Sequence, residues 1–149
     1  MDPLDELHHF RVQLHDTDSA GRLFFAHLFR HAHDAYEAFM GRRGFPLDRL
    51  IREGEILLPL VHAEADYHRP LAHGDEVRVS VTVQEMRTRS FTIDYRFETR
   101  DGGLVATART VHVRIRRDGS PGPGLPEPMR AALLPYLQTE PRPDRPAPR

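Results

Sequence analysis

The sequence predicts an α+β fold, in which one long helix is wrapped by a five-stranded antiparallel sheet. Two observations predict it. Apolar residues recur at helical spacing over one long stretch only. Most of the remaining chain alternates apolar and polar residues, with turn residues between the alternating runs.

The first strand is read at residues 10–14, Phe-Arg-Val-Gln-Leu. The Asp/Thr/Ser/Gly cluster at 16–21 breaks it into a loop. The long helix is predicted from about residue 23 to 41, with Leu28, Ala32, Ala35, Tyr36 and Phe39 on one stripe. Phe24, Phe25 and Phe29 extend its apolar circumference, so the helix is expected to be buried. Gly41 and Gly44 end it, and residues 46–51 give one further helical turn.

After Gly54 the period changes to two. Leu57, Pro59, Val61, Ala63, Ala65 and Tyr67 share one face of a strand. Val77, Val79, Val81 and Val83 share a face of the next, and Phe91, Ile93, Tyr95 and Phe97 of the one after. Asp101-Gly102-Gly103 is a hairpin turn. In the last strand Leu104, Ala106 and Ala108 hold one phase, while Val111, Val113 and Ile115 hold the other. The slip predicts a bulge or a strand buried on both faces. Residues 121–128 form a Pro/Gly linker and 129–137 a short helix. Residues 1–137 are expected to form one domain, and 138–149 a disordered Pro/Arg-rich tail.

The composition narrows the function. A net charge of −1 gives no global field to attract nucleic acid or an anionic membrane. No apolar run approaches membrane-span length, and the acidic N-terminus lacks a signal-peptide core. Without cysteine there are no disulfides, thiolate zinc sites or thiol nucleophiles. The expectation is a cytoplasmic protein. One helix covers too little of the sheet's apolar face, so self-association is also expected.

Asp16 and Asp18 precede the helix. One reading makes them a helix cap and a solvated loop charge. The other is chemical. The free N–H groups and partial positive charge of a helix start can hold an oxyanion, while a nearby carboxylate attacks a thioester or activates water. Gly21 lets a substrate approach the backbone.

The run Asp16-Thr17-Asp18-Ser19-Ala20-Gly21-Arg22-Leu23-Phe24-Phe25-Ala26-His27 resembles the motif of the hotdog-fold acyl-CoA thioesterases of the 4-hydroxybenzoyl-CoA thioesterase type. That motif is Asp-x-Asp-x-x-Gly, then apolar and aromatic residues, then a small residue and Asn or His. Residues 61–71, ending in Arg69-Pro70-Leu71 ahead of Gly74-Asp75, resemble a second family stretch. The likeness covers roughly residues 8–117. It implies a hotdog fold and an acyl-CoA substrate. It makes Asp18 the catalytic carboxylate, as nucleophile or base, with backbone donors at Phe25 and Gly21 and His27 in support. It leaves Asp16 structural. Ala35-Tyr36-Glu37-Ala38 and residues 58–63 look most like the 1,4-dihydroxy-2-naphthoyl-CoA hydrolases of phylloquinone and menaquinone synthesis. The resemblance implies no cofactor, and a homodimer or homotetramer.

Arg69, Arg87 and Arg89 near strand ends are candidates for the CoA phosphates, or ordinary solvated charges. His27 and His31 have the i, i+4 spacing of a metal pair but no evident third ligand, so no metal is expected. A Gly-x-Ser-x-Gly elbow and a phosphate-binding glycine loop are both missing. Hotdog hydratases pair an Asp with a His five residues on, where this chain has Leu23. The alternatives are a medium-chain acyl-CoA or acyl-carrier-protein thioesterase, and a non-catalytic acyl-CoA-binding protein.

Overall fold

Val77, Val79, Val81 and Val83 are all buried, and they form the spine of the core in a computed structural model that describes residues 6–138. The elements are β1 (Glu6–Arg11), α1 (His27–Arg42), α2 (Leu47–Glu53), β2 (Leu60–Tyr67), β3 (Glu76–Met86), β4 (Ser90–Thr99), β5 (Leu104–Val113) and α3 (Glu127–Leu133). Short 3-10 turns lie at Leu14–Asp16 and Leu134–Tyr136. The five strands make one sheet in the order β1-β3-β4-β5-β2, with every pairing antiparallel.

The period-two readings of β3 and β4 hold. Phe91, Ile93, Tyr95 and Phe97 are buried beside the β3 valines, and the register sets Val79 against Phe97 and Val81 against Tyr95. The stripe of α1 also holds: Leu28, Ala32, Ala35, Tyr36, Phe39 and Met40 belong to the same core. At about 25 cal/mol per Å² of apolar surface, burial of these side chains drives the helix onto the sheet.

Several expectations are corrected. The helix begins at His27, four residues later than predicted. Phe24 and Phe25 therefore lie ahead of it and are exposed rather than buried. β1 ends at Arg11, and the chain then turns through the 3-10 segment containing Leu14. β2 has no buried face, since all its residues are exposed except the partly buried Ala65. The anomaly in β5 lies at Val105, where the register with β4 shifts. Downstream of it Ala106, Ala108, Thr110 and His112 all point into the core. The apparent phase slip arose because Thr110 and His112 are polar residues at core positions. The expected terminal helix is α3 followed by the 3-10 turn Leu134–Tyr136. The tail proposed for 138–149 lies outside the described residues from 139 onward. No described helix is long and apolar enough to cross a membrane.

Candidate active site

The segment 16–24 folds back on itself. Phe24 N–H donates to the Asp16 carbonyl at 2.9 Å, and Asp18 N–H to the Arg22 carbonyl at 2.8 Å. Gly21, at φ 77°, sits at the tip in the left-handed region that suits glycine. The returning arm is held on its other side by the chain after β2. There Leu23 N–H donates to the Leu71 carbonyl at 2.7 Å, and His73 N–H to the Gly21 carbonyl at 3.2 Å. The two stretches singled out in the sequence, 16–27 and 61–71, therefore meet.

Asp18 is exposed at this turn. Its carboxylate Oδ1 accepts the N–H groups of Ala20 at 2.9 Å and Arg22 at 3.2 Å. It thus caps its own turn, and the N-cap of α1 is Ala26, which makes no side-chain cap bond. The prediction that one of the two aspartates caps the long helix is corrected accordingly. Oδ2 of Asp18 forms no protein hydrogen bond among the described residues, so the carboxylate is oriented with one oxygen still open.

Phe25 follows Arg22 by three residues, on the order of 10 Å of extended chain. Its N–H has no hydrogen-bond acceptor among the described residues. The peptide bearing that N–H is fixed at its carbonyl end, because Phe24 O accepts His27 N–H at 2.9 Å. Gly21 differs. Its N–H donates to the Asp18 carbonyl at 3.0 Å, so the turn consumes the donor the sequence reading had assigned to an oxyanion. His27 is partly exposed and lies edge-on to Phe24, with ring centroids 5.8 Å apart.

Asp16 is wholly buried. Its carboxylate accepts Gln13 N–H at 2.9 Å and meets Arg30 and His31 of α1. Burial alone would raise its pKa. The Gln13 N–H, His31 and Arg30 outweigh that and hold the carboxyl below its ordinary value. His31 is stacked on Phe10 at 3.7 Å. Burial lowers its pKa, against the pull of Asp16. His27 and His31 thus serve different environments, and the described residues contain no group of three or more metal-ligating side chains. Sequence reasoning missed the link to Arg30 and His31, because no local spacing connects residue 16 to a helix eleven residues away.

A cleft of about 280 Å³ opens beside the turn, lined among others by Leu23, Leu28, Tyr67, Arg69 and Ala106. Arg69 donates to Thr99 Oγ1 at 3.0 Å. Arg87 and Arg89 are exposed on the β3–β4 hairpin. The ten residues of β4 separate that hairpin from Arg69, a distance of about 30 Å. The structure does not gather the three arginines around one point of a single chain.

A family model described as the thioesterase-like superfamily matches residues 12–133. The chain belongs to that superfamily. Within this thioesterase-like family, it is 34% identical over 130 residues to a 1,4-dihydroxy-2-naphthoyl-CoA hydrolase of Rippkaea orientalis, covering 86% of this chain and 91% of the relative. A solved 1,4-dihydroxy-2-naphthoyl-CoA thioesterase from Synechocystis superposes with a TM-score of 0.81 at 32% identity, covering 87% and 96% of the two chains. A gentisyl-coenzyme A thioesterase superposes at 0.77 with 27% identity, covering 87% and 99%. The five-stranded antiparallel sheet is that of the hotdog thioesterases.

Proposed function

We propose that this protein hydrolyses the thioester of an aromatic acyl-CoA, with 1,4-dihydroxy-2-naphthoyl-CoA as the leading substrate. The observation that carries the reading is the folded motif itself. It presents an oriented carboxylate at Asp18 and an unsatisfied N–H at Phe25 on one short segment. The relatives' names add the acyl class. Both 1,4-dihydroxy-2-naphthoyl and gentisyl groups are aroyl groups with two hydroxyls para to one another, one of them ortho to the thioester carbonyl. A step in menaquinone or phylloquinone synthesis follows from the naphthoyl substrate.

In this account the thioester carbonyl oxygen points at Phe25 N–H, which stabilises the charge developing on it. The Asp18 carboxylate attacks the carbonyl carbon or takes a proton from the attacking water. Water supplies hydroxyl to the acyl group and a proton to the departing CoA thiolate. α1 is the central helix about which the sheet wraps, and the turn just ahead of it delivers the donor.

The active form is a homodimer. Strand β2 is one of the two edges of the sheet, paired on one side only and exposed on both faces, with Leu60, Val61 and Tyr67 open to solvent. β2 runs parallel to β4, so antiparallel pairing with a second β2 brings that copy's β3–β4 hairpin toward the Asp18 end. Arg87 and Arg89 of the second copy then stand with Arg69 as candidates for the CoA phosphates.

Thiol release across a panel of acyl-CoAs tests the substrate. The 1,4-dihydroxy-2-naphthoyl ester is expected to give the highest kcat/KM, followed by gentisyl and 4-hydroxybenzoyl esters. A preference for saturated aliphatic chains would reject the aromatic reading.

A further inference from the structure

We propose that Tyr67 is a positioning residue that holds the oxyanion donor in place through its hydroxyl. The proposal rests on the thioesterase reading above and adds a residue to it. Tyr67 ends β2, and its hydroxyl donates to the carbonyl of Phe25, 42 residues away in sequence. No feature of the sequence distinguished it from the other residues of its strand face.

Phe25 has little else to fix it. The residue is 63% exposed, and its ring meets only the exposed ring of Phe24 among the described aromatic contacts. Upstream, Phe24 is tied at both ends, by its N–H to Asp16 O and by its carbonyl to His27 N–H, each at 2.9 Å. Downstream, the Phe25 carbonyl accepts Leu28 N–H only at 3.3 Å, a long bond. The Tyr67 hydroxyl is the strong contact on that side. A donor stabilises an oxyanion only if it is already aimed before charge develops. Tyr67 completes the set of ties that aim the Phe25 N–H.

Tyr67 is 47% exposed, so its contribution lies in the hydroxyl more than in core packing. A tyrosine phenol is protonated at neutral pH, and partial burial moves this one further in the same direction, so the hydroxyl is a donor. Tyr67 also belongs to the exposed edge strand. It links that edge to the peptide where the reaction is proposed to occur.

Tyr67→Phe removes one hydroxyl and keeps the ring. The expected result with the 1,4-dihydroxy-2-naphthoyl ester is a fall in kcat of about tenfold, with KM within about twofold of wild type. The Ala26 amide shares its peptide with the Phe25 carbonyl, so its ¹⁵N resonance should shift in the variant. Tyr95→Phe is the control. It deletes a buried hydroxyl bonded to Thr110 Oγ1 at 2.8 Å, remote from the turn, and should lower Tm with kcat preserved. Wild-type kcat in Tyr67→Phe, with the parent enzyme active, overturns the positioning role and leaves the thioesterase reading standing. So does a loss that merely tracks the folded fraction. Wild-type protein that releases no thiol from any ester defeats both.

Discussion

Asp16 Oδ1 lies 3.2 Å from His31 Nε2, inside the protein, while Asp18 two residues on stands in solvent. The two aspartates of the motif have therefore separated into different roles. Asp16 ties the first strand's exit to α1 through His31 and Arg30. Removing it leaves the buried His31 and the Gln13 N–H without their acceptor and takes one partner from the half-exposed Arg30 guanidinium. Asp16→Ala should cost about 2 kcal/mol, a drop in Tm of roughly 6 °C. Asp18→Asn keeps an oxygen for Ala20 and Arg22 N–H and should change stability by less than about 0.5 kcal/mol. Thermal unfolding of the two variants checks this. An Asp18→Asn protein less stable than Asp16→Ala would reverse the roles.

The backbone donor can be tested by comparing two replacements of Phe25. Phe25→Ala removes the exposed ring and keeps the N–H, whereas Phe25→Pro removes both. Phe25→Ala should keep kcat/KM within about threefold of wild type, while Phe25→Pro should lose about 100-fold or more. Equal losses in both variants would mean that the N–H of Phe25 holds no special place.

His112 predicts a pH dependence of stability. Burial pushes it down to about 4, partly opposed by the Leu58 backbone and assisted by nearby His33. In the unfolded chain its pKa is near 6.5. Between those values the unfolded state binds the proton that the folded state refuses. Stability is therefore full above about pH 6.5 and falls as pH drops toward 4, by up to about 3 kcal/mol. Asp16 and His31, both lowered, act in the same direction. His112→Phe should shrink the difference in Tm between pH 7 and pH 4.5. An unchanged difference would exclude His112 as a source of the acid sensitivity.

The oligomer is tested at the strand edge. Val61 is 58% exposed on β2. Val61→Asp places a charge where a second copy's strand would pair. Light scattering should give twice the chain mass of 17.2 kDa for wild type and the single mass for the variant. A wild-type monomer at micromolar concentration would remove the dimer.

The parts of the fold legible in the sequence were those in which one residue type repeats at one period. The β3 valines and the β4 aromatics show period two because a single buried face selects them. The stripe of α1 shows for the same reason. Its start did not show, because Leu23, Phe24 and Phe25 continue the apolar run while the backbone is still pairing with Asp16 and Leu71. β2 misled because an apolar edge strand has the pattern of a buried one until its neighbours are known. His112 hid in β5, since a polar residue at a core position breaks the pattern that identifies a core strand. At the site, Asp18 and Phe25 came from the motif. Asp16's partners and the Tyr67 hydroxyl are long-range contacts, and no local rule gives them.

The most direct measurement is thiol release from 1,4-dihydroxy-2-naphthoyl-CoA by wild-type protein and by Asp18→Asn under one set of conditions. The account predicts turnover by wild type and a loss in kcat of about 10²- to 10⁴-fold in a variant that unfolds at the same temperature. A folded Asp18→Asn protein that cleaves the ester at the wild-type rate would contradict it.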